Sequence, residues 1–179
     1  MKLLRPLAAV CLALGLALSA VVAAAAGIPA PYAPIVIQPA GVPARHEFDL
    51  SAALARAKRE NKRLYVYLGA SDCPYCRRYE AFLEQNAAAL VPHFAAQYLV
   101  VDLRSALSAT AQKLFIRIGD RSLPYADFQR AIGDERARML VYPSVWLLDA
   151  DARPLMQMPA GTGTFQTVDE QLEILRLEQ

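Results

Sequence analysis

Two cysteines three residues apart stand where a strand-type apolar run gives way to a helix: residues 64–78 read LYVYLGASDCPYCRR. Tyr65, Val66, Tyr67 and Leu68 have the β-branched and aromatic character of a buried strand, and Gly69 is expected to end it. Pro74 suits a first helical position, because it has no N–H to lose and its φ is already helical. Cys73 then falls at the helix N-cap, facing unpaired N–H groups and the positive end of the helix dipole, which favour a thiolate. Cys73 is therefore the expected nucleophile and Cys76, one turn deeper, the expected resolving thiol. Such a pair can close a disulfide, open it on another protein, and pass through a mixed disulfide between the two.

Other uses of a CxxC pair are constrained by what else the chain contains. Zinc wants four ligands, and only Cys11, His46 and His93 remain, none with partner spacing. An inert disulfide would close so short a loop that it would restrict the unfolded chain little. Strand, turn, proline and helix all agree with a redox motif.

The stretch resembles the active site of the thioredoxin superfamily, in which CPYC is found in glutaredoxins and in some periplasmic disulfide-exchange proteins. The run from Asp49 to Cys76, with AKRENKRLYVYLGASDCPYC, is similar to secreted thioredoxin-like domains in which a helix with an A-K-x-x-x-K ending leads into the active-site strand. The similarity runs from about Phe48 to the C-terminus. It implies that Pro143, after Tyr142, is a cis-proline lying against the cysteine pair, with Pro74, Tyr75, Tyr142 and Pro143 supporting the site. One departure stands out. Six residues before the first cysteine, where thioredoxins place a buried aspartate that assists proton transfer, this chain has Tyr67, so proton handling falls to water or another group.

Residues 1–26 carry Lys2 and Arg5, an apolar run, and Ala24-Ala25-Ala26 before Gly27, the pattern of a secretory signal with an A-x-A end. The apolar run is just long enough to serve instead as an uncleaved anchor, but its alanines and its ending favour cleavage. Cys11 goes with the signal. Lys2 and Arg5 are its only charges, so 19 basic residues become 17 against 17 acidic ones. The remaining domain is formally neutral, and its charge gives no argument for nucleic acid or an anionic membrane as partner. It is long enough to bury a core without disulfide staples, which leaves Cys73 and Cys76 free for function.

Residues 27–47 hold five prolines and read as an extended linker, with Ile35-Val36-Ile37 as a candidate edge strand and His46 as ordinary surface. Asp49 is expected to cap a helix to about Asn61, with Leu50, Ala53, Leu54 and Ala57 on one face and a solvated basic end. The helix after the cysteines should carry Tyr79, Phe82 and Leu83 inward and run to about Leu90, broken by Pro92, with His93 and Phe94 in a turn. Residues 98–103, YLVVDL, read as a second buried strand. Residues 104–140 form an insertion with helical pieces expected at 109–118 and 125–132, around turns at Gly119-Asp120 and Pro124. Residues 145–148 make a strand containing a core Trp146, 149–153 a turn, 155–158 an antiparallel return strand, and 165–177 a closing helix. Gly161-Thr162-Gly163 is a loop and not a nucleotide fingerprint.

These readings converge on a single thioredoxin-like α/β domain at 48–179, with a central mixed sheet, helices on both faces and a helical insertion before the cis-proline strand. The resemblance implies a monomeric, periplasmic or otherwise exported enzyme that exchanges disulfides with protein substrates, needs no cofactor, and draws on a membrane electron donor. Reduction of exported proteins is favoured over oxidation or isomerisation. The expected potential lies between that of thioredoxin, roughly −270 mV, and that of a strong periplasmic oxidase, roughly −120 mV. Copper handling by the two soft thiolates, and a non-catalytic binding module, remain as alternatives.

Overall fold

The computed structural model describes residues 27–42, 44–132, 140–157 and 165–176. The expected signal and the Gly161-Thr162-Gly163 loop lie outside the described residues. The strands are β1 (Ile35–Ile37), β2 (His46–Asp49), β3 (Arg63–Ala70), β4 (Tyr98–Ser105), β5 (Leu114–Ile118), β6 (Arg121–Pro124), β7 (Ser144–Leu148) and β8 (Pro154–Gln157). The helices are α1 (Ser51–Glu60), α2 (Pro74–Gln85), α3 (Ala87–Gln97), α4 (Tyr125–Ala131) and α5 (Val168–Arg176).

The central sheet has the order β1-β4-β3-β7-β8. β1, β4 and β3 pair in parallel, and β7 and β8 each pair antiparallel with the preceding neighbour. Both faces of the sheet are covered, which is why β3 is apolar without interruption. Successive side chains enter opposite cores. Leu64, Val66, Leu68 and Ala70 face α1, α4 and the second sheet, whereas Tyr65 and Tyr67 face α2, α3 and α5. In the first core, Trp146 packs edge-on to Phe128 with ring centroids 5.3 Å apart.

Residues 27–47 do not behave as a linker. Ile28 and Tyr32 are buried in the second core, β1 extends the central sheet, and β2 joins another. The apolar residues Ile28 and Tyr32 supply burial that a free linker would lack.

The helical expectation for 109–118 fails. After a short 3₁₀ turn at Ala111–Lys113, the chain forms a β5–β6 hairpin that pairs with β2 in a three-stranded sheet. Leu114 and Ile116 alternate into the core while Phe115 faces outward beneath the Arg45 guanidinium, 3.7 Å from its ring centroid. The run has a period of two, and parallel pairing with β2 decides between helix and strand. Glu47 locks this sheet through Arg117 at 2.6 Å, Arg45 at 2.9 Å and the Ser122 hydroxyl, and hydrogen bonds from Ser122 and Arg45 hold its carboxyl down at about 2. The expected helix at 125–132 is α4.

Three local boundaries also move. Asp49 is the last residue of β2, and its carboxylate accepts the Ser51 N–H at 2.8 Å while Leu50 holds the N-cap position. Pro92 does not end a helix. The break falls at Asn86, whose φ of −108° and ψ of 16° leave the helical region, and Pro92 lies exposed inside α3. Phe94 is consequently a buried helix residue. β3 continues past Gly69 to Ala70, and the glycine is needed for space: a Cβ there would stand 2.5 Å from the Tyr67 ring.

Candidate active site

Cys73 occupies the N-cap of α2, with Pro74 in its first turn. The Cys76 N–H donates to Cys73 Sγ at 3.2 Å, so one otherwise unpaired helix donor is directed at the sulfur. Cys73 Sγ also lies 3.8 Å from the Tyr142 carbonyl oxygen, and the Tyr142–Pro143 peptide bond is cis. Tyr142 is fixed from behind by a 2.8 Å hydrogen bond between its hydroxyl and Ser105 Oγ. The loop after β3, the start of α2 and the turn before β7 thus meet at one sulfur. The two cysteines are free thiols.

Neither thiol lies on an open surface: Cys73 is 2% and Cys76 0% exposed. Cys73 instead lines a cleft of about 450 Å³ together with Tyr75, Leu107, Ala109, Val141 and Tyr142. Tyr75 and Leu107 are about half exposed and give the rim an apolar character. Leu107 and Ala109 belong to the 104–140 insertion, so its first residues form one wall. The Leu107 N–H donates to Asp72 Oδ1 at 2.8 Å, which ties that wall to the residue before Cys73.

Behind the pair, burial pushes the Cys76 thiol up to about 12, and the neighbouring Cys73 sulfur adds to this. The Ala70 N–H, 3.5 Å from Cys76 Sγ, and the Tyr67 hydroxyl act in the opposite sense. The Tyr67 hydroxyl in turn donates to Glu80 Oε1 at 3.0 Å. Glu80 is itself buried and raised above the usual carboxylate range by desolvation, although Arg77 pairs with it at 2.8 Å. The Arg77 guanidinium is directed to Glu80 and the Ala70 carbonyl. Arg78 lies over the Tyr75 ring, 5.6 Å from its centroid.

A second buried acid lies close by. Asp102 is the register partner of Tyr67 on β4, is fully buried, and pairs with Arg104 at 2.7 Å. Desolvation raises its pKa as well. The sequence reading passed over both acids. Their signals were present: Asp102 is the one charge within YLVVD, and Glu80 falls four residues after Cys76 on the inward side of α2.

Among the described residues, no group of three or more histidine, cysteine or acidic side chains is placed to hold a metal ion, and no helix is long and apolar enough to cross a membrane. His46 begins β2, and His93 is exposed on α3. No curated protein matches the chain. The family described as a thioredoxin-like domain matches it over residues 50–175, most of its length and all of the site just described. A cysteine pair at a strand-to-helix junction beside a cis-proline, on a sheet with helices on both faces, agrees with that match, and the chain belongs to the thioredoxin-like domain family.

Proposed function

We propose that this protein is an exported thiol–disulfide oxidoreductase that exchanges disulfides with protein substrates through Cys73 and Cys76. The observation that carries the reading is the position of Cys73 Sγ: it accepts a helix N-terminal N–H and at the same time lines an apolar cleft. The cleft suits an extended polypeptide, whose backbone could pair beside Tyr142 while an apolar side chain meets Leu107. Cys73 attacks a substrate disulfide, releasing one substrate thiolate and forming a mixed disulfide. Cys76 then attacks the Cys73 sulfur, freeing the second substrate thiolate and leaving the Cys73–Cys76 disulfide. The substrate gains two electrons and the enzyme loses two. A membrane electron donor would restore the dithiol.

Reduction of insulin or glutathione disulfide by the processed protein tests the chemistry, and absence of turnover would refute it. Direction is tested by trapping the thiols in cells. We expect Cys73 and Cys76 to be largely reduced at steady state, and a fully oxidised pair would overturn the reductant reading in favour of an oxidase.

The Tyr67–Glu80 pair supplies the proton path that the missing aspartate leaves open. As Cys76 attacks, its proton passes to the Tyr67 oxygen while the Tyr67 proton passes to the Glu80 carboxylate. Glu80→Gln should slow resolution of the mixed disulfide about 10²-fold, within the usual range for a general base, and leave its formation by Cys73 unchanged. The acid limb of the resolution rate should also flatten, because the titrating carboxyl is gone. Single-turnover decay of a mixed disulfide across pH reads this. An unchanged profile would assign the proton to water.

A further inference from the structure

The new end that signal cleavage would create lies against the two buried acids. Gly27, the residue after Ala24-Ala25-Ala26, is buried, and its backbone N–H favours the ionised form of the nearby Glu80 carboxyl. The next donor, the Ile28 N–H, reaches Asp102 Oδ2 at 2.9 Å. Residue 27 has a φ of +120°, a conformation that favours glycine, and it lies against the end of the Arg104 side chain. Asp102 Oδ1 is fully buried and has no hydrogen-bond partner among the described residues. A buried carboxylate oxygen left unpaired is costly and points to a donor. Successive residues are spaced at most about 3.6 Å along the chain, so the Gly27 nitrogen is one such step from the Ile28 nitrogen that binds Asp102.

The geometry points to a docking site for the protein's own processed N-terminus: cleavage after Ala26 yields a Gly27 α-ammonium that binds between Glu80 and Asp102. A signal-peptidase-class protease adds water across the Ala26–Gly27 bond, leaving a carboxylate on Ala26 and an amine on Gly27 that takes up a proton. The single amide donor becomes an ammonium with three, enough for Glu80 and the unpaired Asp102 oxygen. The groups facing it are Glu80 and Arg77 from α2, Tyr67 from β3, and Asp102 and Arg104 from β4. Both arginines are partly solvated while both carboxylates are buried, so a further buried cation is accommodated.

Docking would have a consequence at the cysteines, which rests on the thiol-exchange reading. The ammonium favours ionised Glu80, the form able to receive the Cys76 proton through Tyr67. A precursor that still carries its signal lacks that cation and resolves mixed disulfides slowly. Export and maturation would then complete the redox site.

The test uses the full chain, exported and processed in a bacterial host, beside a form with one serine inserted between Ala26 and Gly27. Mass and N-terminal sequencing should show that the first begins at Gly27. Its α-amine should titrate above the ordinary value of about 8. Its Tm at pH 7 should exceed that of the serine-inserted protein by about 3 °C or more. A pKa raised by folding stabilises fully below the unfolded value and is lost as pH rises through the folded one, so the Tm gap should close in alkaline buffer. Asp102→Asn should shrink the gap, and the amine titration keeps the test decisive if that variant folds poorly. A mature end elsewhere than Gly27, or an ordinary amine titration with equal Tm values, would overturn the site. If the amine and Tm results hold while neither form reduces insulin, docking stands and the thiol-exchange function falls.

Discussion

Cys73→Ser is expected to abolish insulin reduction, with a loss on the order of 10³-fold or more, as for removal of a nucleophile. A serine oxygen can take the Cys73 position and accept the Cys76 N–H, but it cannot form a disulfide. Stability should change little, because the substitution is nearly isosteric and the hydroxyl keeps the cap. Cys76→Ala should behave differently. Cys73 remains to attack, so the first half-reaction proceeds, and mixed disulfides with substrates accumulate because nothing resolves them. Non-reducing gels of cell extracts would show the adducts. Sustained turnover by the Cys73→Ser protein, or adducts carried on Cys76 in place of Cys73, would reverse the assigned order of attack.

Phe94→Ala is expected to destabilise the domain by about 3–5 kcal/mol, the usual loss for a buried phenylalanine. At roughly 2–4 °C per kcal/mol for a chain of this size, Tm should fall by about 10 °C. Phe94 is 2% exposed and meets two rings edge-on, Tyr32 at 5.1 Å and Tyr65 at 4.8 Å between centroids. Tyr65 belongs to the active-site strand and Tyr32 to the segment that carries Gly27 and Ile28. Tyr32 has a second anchor, its hydroxyl donating to the Leu83 carbonyl at 2.8 Å, so the segment should loosen and not detach. Faster amide exchange at Ile28 would report that loosening. A Tm loss below about 3 °C would mean that α3 does not hold this segment through Phe94.

The cysteine pair, the strand before it and the helix after it were legible because each depends on local chemistry. A proline at N1, a sulfur at the N-cap and an unbroken apolar run need no distant partner to be read. The same holds for β4, β7 and α4, and for the two-residue turn between β5 and β6. Where the reading failed, the deciding contact was remote in sequence. Residues 114–118 became a strand because β2, about seventy residues earlier, offers a parallel edge. Residues 27–47 looked like a linker by their prolines, yet Ile28 and Tyr32 are buried against α2 and α3.

The sequence by itself determined the placement of Cys73 and Cys76 at a strand-to-helix junction and the layering of the fold, since both follow from residue type at short spacing. Only the tertiary structure decided what surrounds the sulfurs. Glu80, Tyr67 and Asp102 come from a helix and two strands, and their proximity depends on register and on Gly69 leaving space for the Tyr67 ring. The approach of Gly27 to these acids spans more than fifty residues of chain, and no local pattern encodes it. Local propensity acts over a few residues, whereas the desolvation that raises Cys76 and Glu80 arises only when separate elements close over them.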